Sequence, residues 1–427
     1  MSIDGRESLI RTLIGDHHAA CGSSQVSLSK SVSQLVVATI AGQLLFFIAS
    51  PSLVERYGAE GFGLFALSYA VVSIGGTLAA LKIEALIVAA KDQALAEELT
   101  AASLVCAFLV ACAGFGLWKL GLSPLIKSAA VMADIEWVTF LATVLQAWVS
   151  VLSALATRQS LFGHLAINKF LAFGVIAISG LYLPVDFYVN SLVFSILISA
   201  ALQLLILGIP LARQLLNFSF TKYRRDTILE IKSAVSLLFP ATALDVVSQQ
   251  LPILIISSTF GPTILGMYAL AARIIYAPFS SISSAVSTVF MGNFSRTDNE
   301  QRRSLLIKTW KKLALMGAAI YIPVMVFGPA LFGLVYGPGW EMAGQMARAL
   351  ALVVFINMIF SPTSVSFIVM GLRIVPVVAA ASAFSYRIAA FAIGVLADSI
   401  LVALYLFCLF EIIQIFMTNR ILLKNLK

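Results

Sequence analysis

Arg273, Arg387, Arg348 and Lys169 lie inside apolar runs long enough to cross a bilayer, and so do Asp245 and Glu411. A charge at that depth is costly, so it faces water, a ligand or an opposite charge, and it counts as a functional candidate by default. At about 1.5 Å rise per residue, Arg273 lies roughly 13 Å and Asp245 roughly 18 Å into their spans, near the middle of a hydrocarbon core about 30 Å thick. The two are therefore able to meet. The embedded set is mainly cationic, and guanidinium forks grip phosphate oxygens in pairs while resisting deprotonation. One reading is a cationic cavity for an anionic head group, built from Arg273, Arg387, Arg348 and Lys169. The plainer reading is structural: Arg273 paired with Asp245, and Arg348 and Lys169 stretching to water at the membrane surfaces.

The carboxylates divide the same way. Asp245 and Glu411 are candidates for proton or ion coupling, or simply members of buried pairs. Lys82 and Glu84, two residues apart at the end of the second span, form either an entry gate or an interfacial charge pair. Asp134 and Glu136 are expected on a solvated face rather than at a glycosyl-transfer metal site. Asp186 and Asp398 read as turn residues. His17 and His18 fall in the polar N-terminal segment and His164 at a span boundary, which assembles neither a metal cluster nor a catalytic triad. Cys21, Cys106, Cys112 and Cys408 are scattered, without disulfide or zinc spacing. No metal or cofactor is expected.

The elements that must position these residues follow from composition. Of 427 residues, 60% are hydrophobic and 11% charged, against about 45–50% and 25% in soluble domains. This excludes a soluble globular protein. Apolar runs bounded by polar turns predict twelve spans near 31–51, 62–81, 99–118, 135–156, 163–182, 189–211, 233–258, 264–291, 313–336, 343–370, 374–396 and 398–418. The expected class is an all-α polytopic membrane protein, and no connection is long enough to hold a folded catalytic domain. Residues 1–30 are polar and lack the pattern of a signal peptide, so the chain is expected to start near Met1.

Lysine and arginine are distributed unevenly over the connections. The odd-numbered loops hold Arg56, Lys119 and Lys127, whereas the tails and even-numbered loops carry most of the others, including Arg296, Arg302, Arg303, Lys308, Lys311 and Lys312. The positive-inside rule then places both termini in the cytoplasm. Topology accounts for the net charge of +8, which leaves no reason to invoke a nucleic-acid partner. The basic run from Arg296 to Lys312 is expected to anchor a cytoplasmic loop to anionic membrane lipids.

Gly58, Gly63, Ala66 and Leu67 recur as Gly261, Gly266, Ala269 and Leu270, 203 residues later and at the same place six spans on. Such a repeat predicts two six-helix lobes related by an axis along the membrane normal, with a cleft between them. The expected organisation is a cytoplasmic segment 1–30, a first lobe 31–211, a basic cytoplasmic linker 212–232, a second lobe 233–418 and a basic tail 419–427.

Several stretches carry a resemblance: Gly42-Gln43-Leu44 to Pro51, Arg56-Tyr57-Gly58, Phe62-Gly63-Leu64-Phe65-Ala66, Leu81-Lys82-Ile83-Glu84-Ala85-Leu86, Gly266-Met267-Tyr268-Ala269-Leu270-Ala271-Ala272-Arg273 with Pro278, and Tyr336-Gly337-Pro338-Gly339-Trp340. In their order and spacing these resemble bacterial polysaccharide transporters, the Wzx-type flippases for lipid-linked oligosaccharides. Lys82 departs from the family pattern, which often has arginine or an aromatic neighbour there. The resemblance implies the two-lobed, MATE-like fold of the multidrug/oligosaccharidyl-lipid/polysaccharide exporter superfamily in the bacterial inner membrane. It implies an undecaprenyl-diphosphate-linked oligosaccharide substrate for O-antigen, capsule or exopolysaccharide assembly, with Arg273 touching the diphosphate or an acidic sugar and Arg387 and Arg348 supporting it. Polysaccharide polymerase and glycosyltransferases are the partners such a role suggests. Its rivals are a drug or cation antiporter on the same fold, which calls for a more acidic or aromatic cavity, and a scaffold for glycosyltransferases. A membrane-embedded polymerase or glycosyltransferase calls for a sizeable periplasmic loop or an acidic metal motif, and neither is visible. The chain is therefore not expected to be an enzyme.

Overall fold

The computed structural model describes residues 24–122, 135–184, 191–216, 225–372 and 374–426, and among these no β-strand occurs. The helices are α1 (Ser24–Leu78), α2 (Glu84–Ala89), α3 (Gln93–Leu117), α4 (Glu136–Arg158), α5 (Phe162–Tyr182), α6 (Ser191–Leu216) and α7 (Arg225–Ser233). They continue as α8 (Phe239–Thr259), α9 (Pro262–Arg296), α10 (Asn299–Tyr336), α11 (Glu341–Phe360), α12 (Ser366–Val369), α13 (Ile374–Leu396) and α14 (Ile400–Lys424). Among the described residues, 11 helices are long and apolar enough to cross a membrane.

The first of these supplies two crossings, because α1 folds back on itself. Phe46 and Phe65 stack with ring centroids 6.5 Å apart, whereas 19 residues of straight helix would separate them by about 28 Å. The reversal lies at Gly58, whose φ of 62° and ψ of −176° suit a residue without a β-carbon. Gly261 starts α9 in the same conformation, with φ 85° and ψ 175°. The sequence repeat is thus a repeated turn, and twelve crossings follow. These two turns mark one end of the bundle, the turn end. The helix starts and finishes of α1 and α14 mark the other, the terminal end.

The two halves of the chain meet chiefly where α1 packs on α9. A β-carbon on Gly63 would overlap the Pro262 carbonyl oxygen, and one on Gly266 would overlap that of Ala59. The offset relating Gly63 to Gly266 also relates Ala59 to Pro262, so one contact is made twice about an approximate two-fold axis. Backbone lies directly on backbone there, and the turn end is closed.

Other boundaries move for local reasons. Residues 292–312 were expected to form a basic loop, but α9 runs to Arg296 and α10 starts at Asn299. The cluster is therefore carried largely on helical extensions: 38 residues of α10 span about 57 Å, well beyond a hydrocarbon core of about 30 Å. The tenth span is not one helix to residue 370, because Pro362 sits in a 3-10 turn, Ser361–Thr363, that separates α11 from α12. The expected basic tail is largely the last part of α14, and α7 fills the second part of the linker. Residues 1–23 of the N-terminal segment and 217–224 of the linker lie outside the described residues.

The glycine seam yields a test. Gly266→Ala forces the halves apart or strains α9, an overpacking cost of about 1–3 kcal/mol, and lowers the midpoint of thermal unfolding of the purified protein. Gly114→Ala, where the added carbon meets nothing within 4 Å, leaves the midpoint unchanged or slightly raised, because alanine is the better helix former.

Candidate functional site

Arg273 lies on α9, about two turns from Gly266 of the seam. Its guanidinium faces the rings of Phe46 at 4.1 Å, Phe65 at 5.0 Å, Tyr69 at 5.2 Å and Phe173 at 5.6 Å. Both arms of α1 contribute to this cage, with Phe65 and Tyr69 one turn apart on the second arm and Phe173 on α5. Each ring presents its negative face to the cation, an attraction worth about 2 kcal/mol or more for a desolvated pair. The expected partnership with Asp245 does not form. Asp245 is exposed on α8 and accepts a hydrogen bond from Gln249 Nε2 at 3.0 Å, a turn along the same helix. Among the described residues Arg273 makes no ion pair.

Beneath the cage a cavity of about 680 Å³ lies between both arms of α1, α4, α5, α6 and α9. It extends from Gln43 and Tyr69 toward Leu35, Thr77, Ser153 and Thr288, that is, toward the terminal end. A smaller chamber of about 180 Å³ contains Arg273 and shares Gln43, Phe173 and Ser280 with the larger one. Among the described residues Lys169, on α5, is the one charged side chain lining the larger cavity. It is exposed and makes no ion pair among the described residues. Among the described residues no carboxylate lines either chamber.

The remaining polarity comes from hydroxyls and amides. Ser280, Ser281, Ser284 and Thr288 form a stripe on α9, and Gln146, Ser150 and Ser153 a matching one on α4. Gln43 joins the halves: its Oε1 accepts from Ser281 Oγ at 2.9 Å, and its Nε2 donates to Ser280 Oγ at 3.4 Å. Counting charges alone misses these residues and the aromatic cage. The legible signal was the helical period of serine, threonine and glutamine within otherwise apolar runs.

The other candidates lie elsewhere. Arg387 does not line either chamber. It donates to Glu411 Oε2 at 3.3 Å and to Ser248 Oγ at 2.9 Å, while Glu411 also accepts from Tyr386 Oη at 3.0 Å and Asn357 Nδ2 at 3.3 Å. This network ties α8, α11, α13 and α14 together in the second half and joins two residues that the sequence placed in separate roles. Arg348 is exposed and donates to the Val326 carbonyl at 3.0 Å, where Gly344 and Gly328 let α11 lie against α10. Lys82 pairs with Glu84 at 3.2 Å, across a turn in which Leu81 and Lys82 take φ of 53° and 63°. Glu84 is buried, and neither residue reaches the cavity. Glu136 is buried rather than solvated, paired with Lys119 at 2.8 Å. Phe115, Trp118 and Phe140 line the same cleft as Glu136. Asp134 lies outside the described residues.

Two sets of membrane helices, meeting on a tight seam around a polar cavity, are the architecture of a membrane transporter. The fold matches the lipid II flippase MurJ in an inward closed conformation with a TM-score of 0.75 and 13% identity, covering 91% of this chain and 88% of that one. It matches an inward-facing multidrug resistance MATE family transporter of the MOP superfamily with a TM-score of 0.65 and 14% identity, over 92% and 95% of the two chains. A MOP superfamily transporter from Pyrococcus furiosus gives 0.62 and 15% over 93% and 96%. At such identities the likeness is one of fold. A stretch of 101 residues is 25% identical to the amylovoran biosynthesis protein AmsL of Erwinia amylovora, covering 23% of this chain and 26% of that relative's length. Residues 57–345 match the polysaccharide biosynthesis protein family, and the chain belongs to it. The resemblance read from the residues is borne out, as are the MOP-type fold and a multi-pass membrane location, for which the bacterial inner membrane fits the family.

The buried pair in the second half makes a prediction. Removing one partner of such a pair strands the other charge, at a cost of about 3–5 kcal/mol. Glu411→Gln therefore lowers the thermal midpoint strongly, Arg387→Met with Glu411→Leu recovers most of it, and Asp245→Asn leaves it near that of wild type.

Proposed function

We propose that this chain is a flippase that moves undecaprenyl-diphosphate-linked oligosaccharides from the cytoplasmic to the periplasmic leaflet by alternating access, for surface polysaccharide assembly. The observation that carries the reading is the cavity: polar, free of carboxylates among the described residues, with Lys169 in its wall and Arg273 at its closed end. An anionic diphosphate with an uncharged or acidic glycan suits that lining, whereas a cationic drug would meet two positive charges and no counter-ion. The excess of lysine and arginine at the terminal end supports a cytoplasmic location for the termini. The cavity then opens toward the cytoplasm and is sealed on the periplasmic side by the glycine seam.

Rocking of the two halves would break the seam and close the terminal end, sparing the sugars their passage through hydrocarbon. A diphosphate carrying two negative charges gains roughly 4–5 kcal/mol on leaving a cytoplasm held at about −100 mV. That gain is large enough to drive the step without a coupling ion. The lipid tail stays in the bilayer beside the lobes.

Proteoliposomes containing a fluorescent undecaprenyl-diphosphate oligosaccharide test the proposal. Wild type translocates the lipid, Arg273→Ala at matched insertion loses at least tenfold in rate, and an imposed potential of the correct sign accelerates wild type. Asp245→Asn retains the wild-type rate. Absence of translocation by well-inserted wild type, with transport of an organic cation instead, would overturn the reading in favour of an antiporter.

A further inference from the structure

Asn168 stands out in the cavity wall. It is 4% exposed, and its Oδ1 is buried without a hydrogen-bond partner among the described residues. Its Nδ2 donates to Ser153 Oγ of α4 at 3.5 Å. Because a hydroxyl can serve either end of an amide, one end of Asn168 stays open whichever way the group is turned. A buried polar atom left unpaired costs stability unless something supplies its partner.

The surroundings are built for hydrogen bonding. Ser199 of α6 donates to the Leu171 carbonyl of α5 at 2.9 Å, which fixes the level at which the two helices meet. They run antiparallel, so Gln203, one turn further along α6, comes level with Asn168. Gln203 is 4% exposed, lines the same cavity and donates to Ser199 Oγ at 3.0 Å. Three helices thus bring Ser153, Asn168 and Gln203 to one level of the wall. Phe173, which faces Arg273, lies five residues along α5 from Asn168, a rise of about 7–8 Å.

We propose that Asn168, with Ser153 and Gln203 beside it, forms a subsite for an uncharged glycosyl residue: the unpaired end of the amide, shielded from the cavity in this conformation, turns into it to meet a hydroxyl or acylamino N–H of the sugar. It thereby contributes to the choice of sugar. The inference rests on the flippase reading and deepens it: a diphosphate held near the arginine cage directs its first sugar toward this level. The two groups divide the work, Arg273 recognising the carrier's charge and Asn168 the sugar attached to it.

The test uses the full-length protein in nanodiscs and two probes, undecaprenyl diphosphate and undecaprenyl-diphosphate N-acetylglucosamine. Wild type binds the sugar-bearing lipid about tenfold more tightly than the bare diphosphate, the worth of one or two hydrogen bonds. Asn168→Leu, close to the same size, reduces that preference to about twofold or less and leaves the affinity for the bare diphosphate unchanged. Arg273→Ala weakens both lipids alike. The empty Asn168→Leu protein also melts higher than wild type, since the unpaired atom is gone, whereas a purely structural asparagine would melt lower on removal. Ser153→Ala, a smaller change, erodes the sugar preference less and guards against a misfolded leucine variant. A preference retained in Asn168→Leu, or absent from wild type, overturns the proposal. Binding of neither lipid by folded wild type overturns the flippase reading and this inference with it.

Discussion

A guanidinium placed midway through a hydrocarbon slab must find solvation other than bulk water, and Arg273 finds it in aromatic faces. Phe46 and Phe65 come from opposite arms of α1, Tyr69 from one turn beyond Phe65, and Phe173 from α5. The cation itself belongs to α9, in the other half of the chain. Holding that charge therefore requires the reversal at Gly58, the docking of α5 on α1 and the close approach of α9 to α1. Aromatic faces attract a cation without neutralising it. The site keeps its positive charge available, which a carboxylate partner would have consumed.

The Arg387–Glu411 pair shows the opposite solution. There a carboxylate meets the guanidinium and accepts further bonds from Tyr386 and Asn357, which leaves a charge-matched knot inside the second half. Two intramembrane arginines of similar depth thus differ in what surrounds them: one is matched in charge, the other faces a chamber. Glu136 with Lys119 and Lys82 with Glu84 repeat the neutral solution closer to the membrane surfaces.

The fold was legible because hydrocarbon imposes length and apolarity on every span, and because the repeat from Gly58 to Leu67 returned at Gly261 to Leu270. Helix ends were less legible. The continuation of α9 and α10 into the basic region depends on helical propensity and packing, which apolarity does not register, and the break at Pro362 was hidden inside an apolar run. Of the site, Arg273 and Lys169 were legible as charges in the wrong solvent. Their partners were not, since depth along a helix says nothing of the face a residue presents. Asp245 matched Arg273 in depth and still points elsewhere. Asn168, Gln203 and Gln43 carry no charge and so were passed over, although amides in hydrocarbon also demand satisfaction.

The cavity is unevenly shared between the halves. Its walls come from α1, α4, α5 and α6 of the first half, while the second half contributes one helix, α9, with its serine stripe and, in the adjoining chamber, Arg273, Ile274, Tyr276 and Ala277. A bound molecule biases a conformational equilibrium only by its difference in affinity for the two states. If the halves rock as proposed, contacts with the first half travel with it and contribute little to that difference. In the proposed cycle the load therefore speaks to the conformational equilibrium almost solely through α9, so the arginine that reads the carrier's charge is also the contact that senses the change of state.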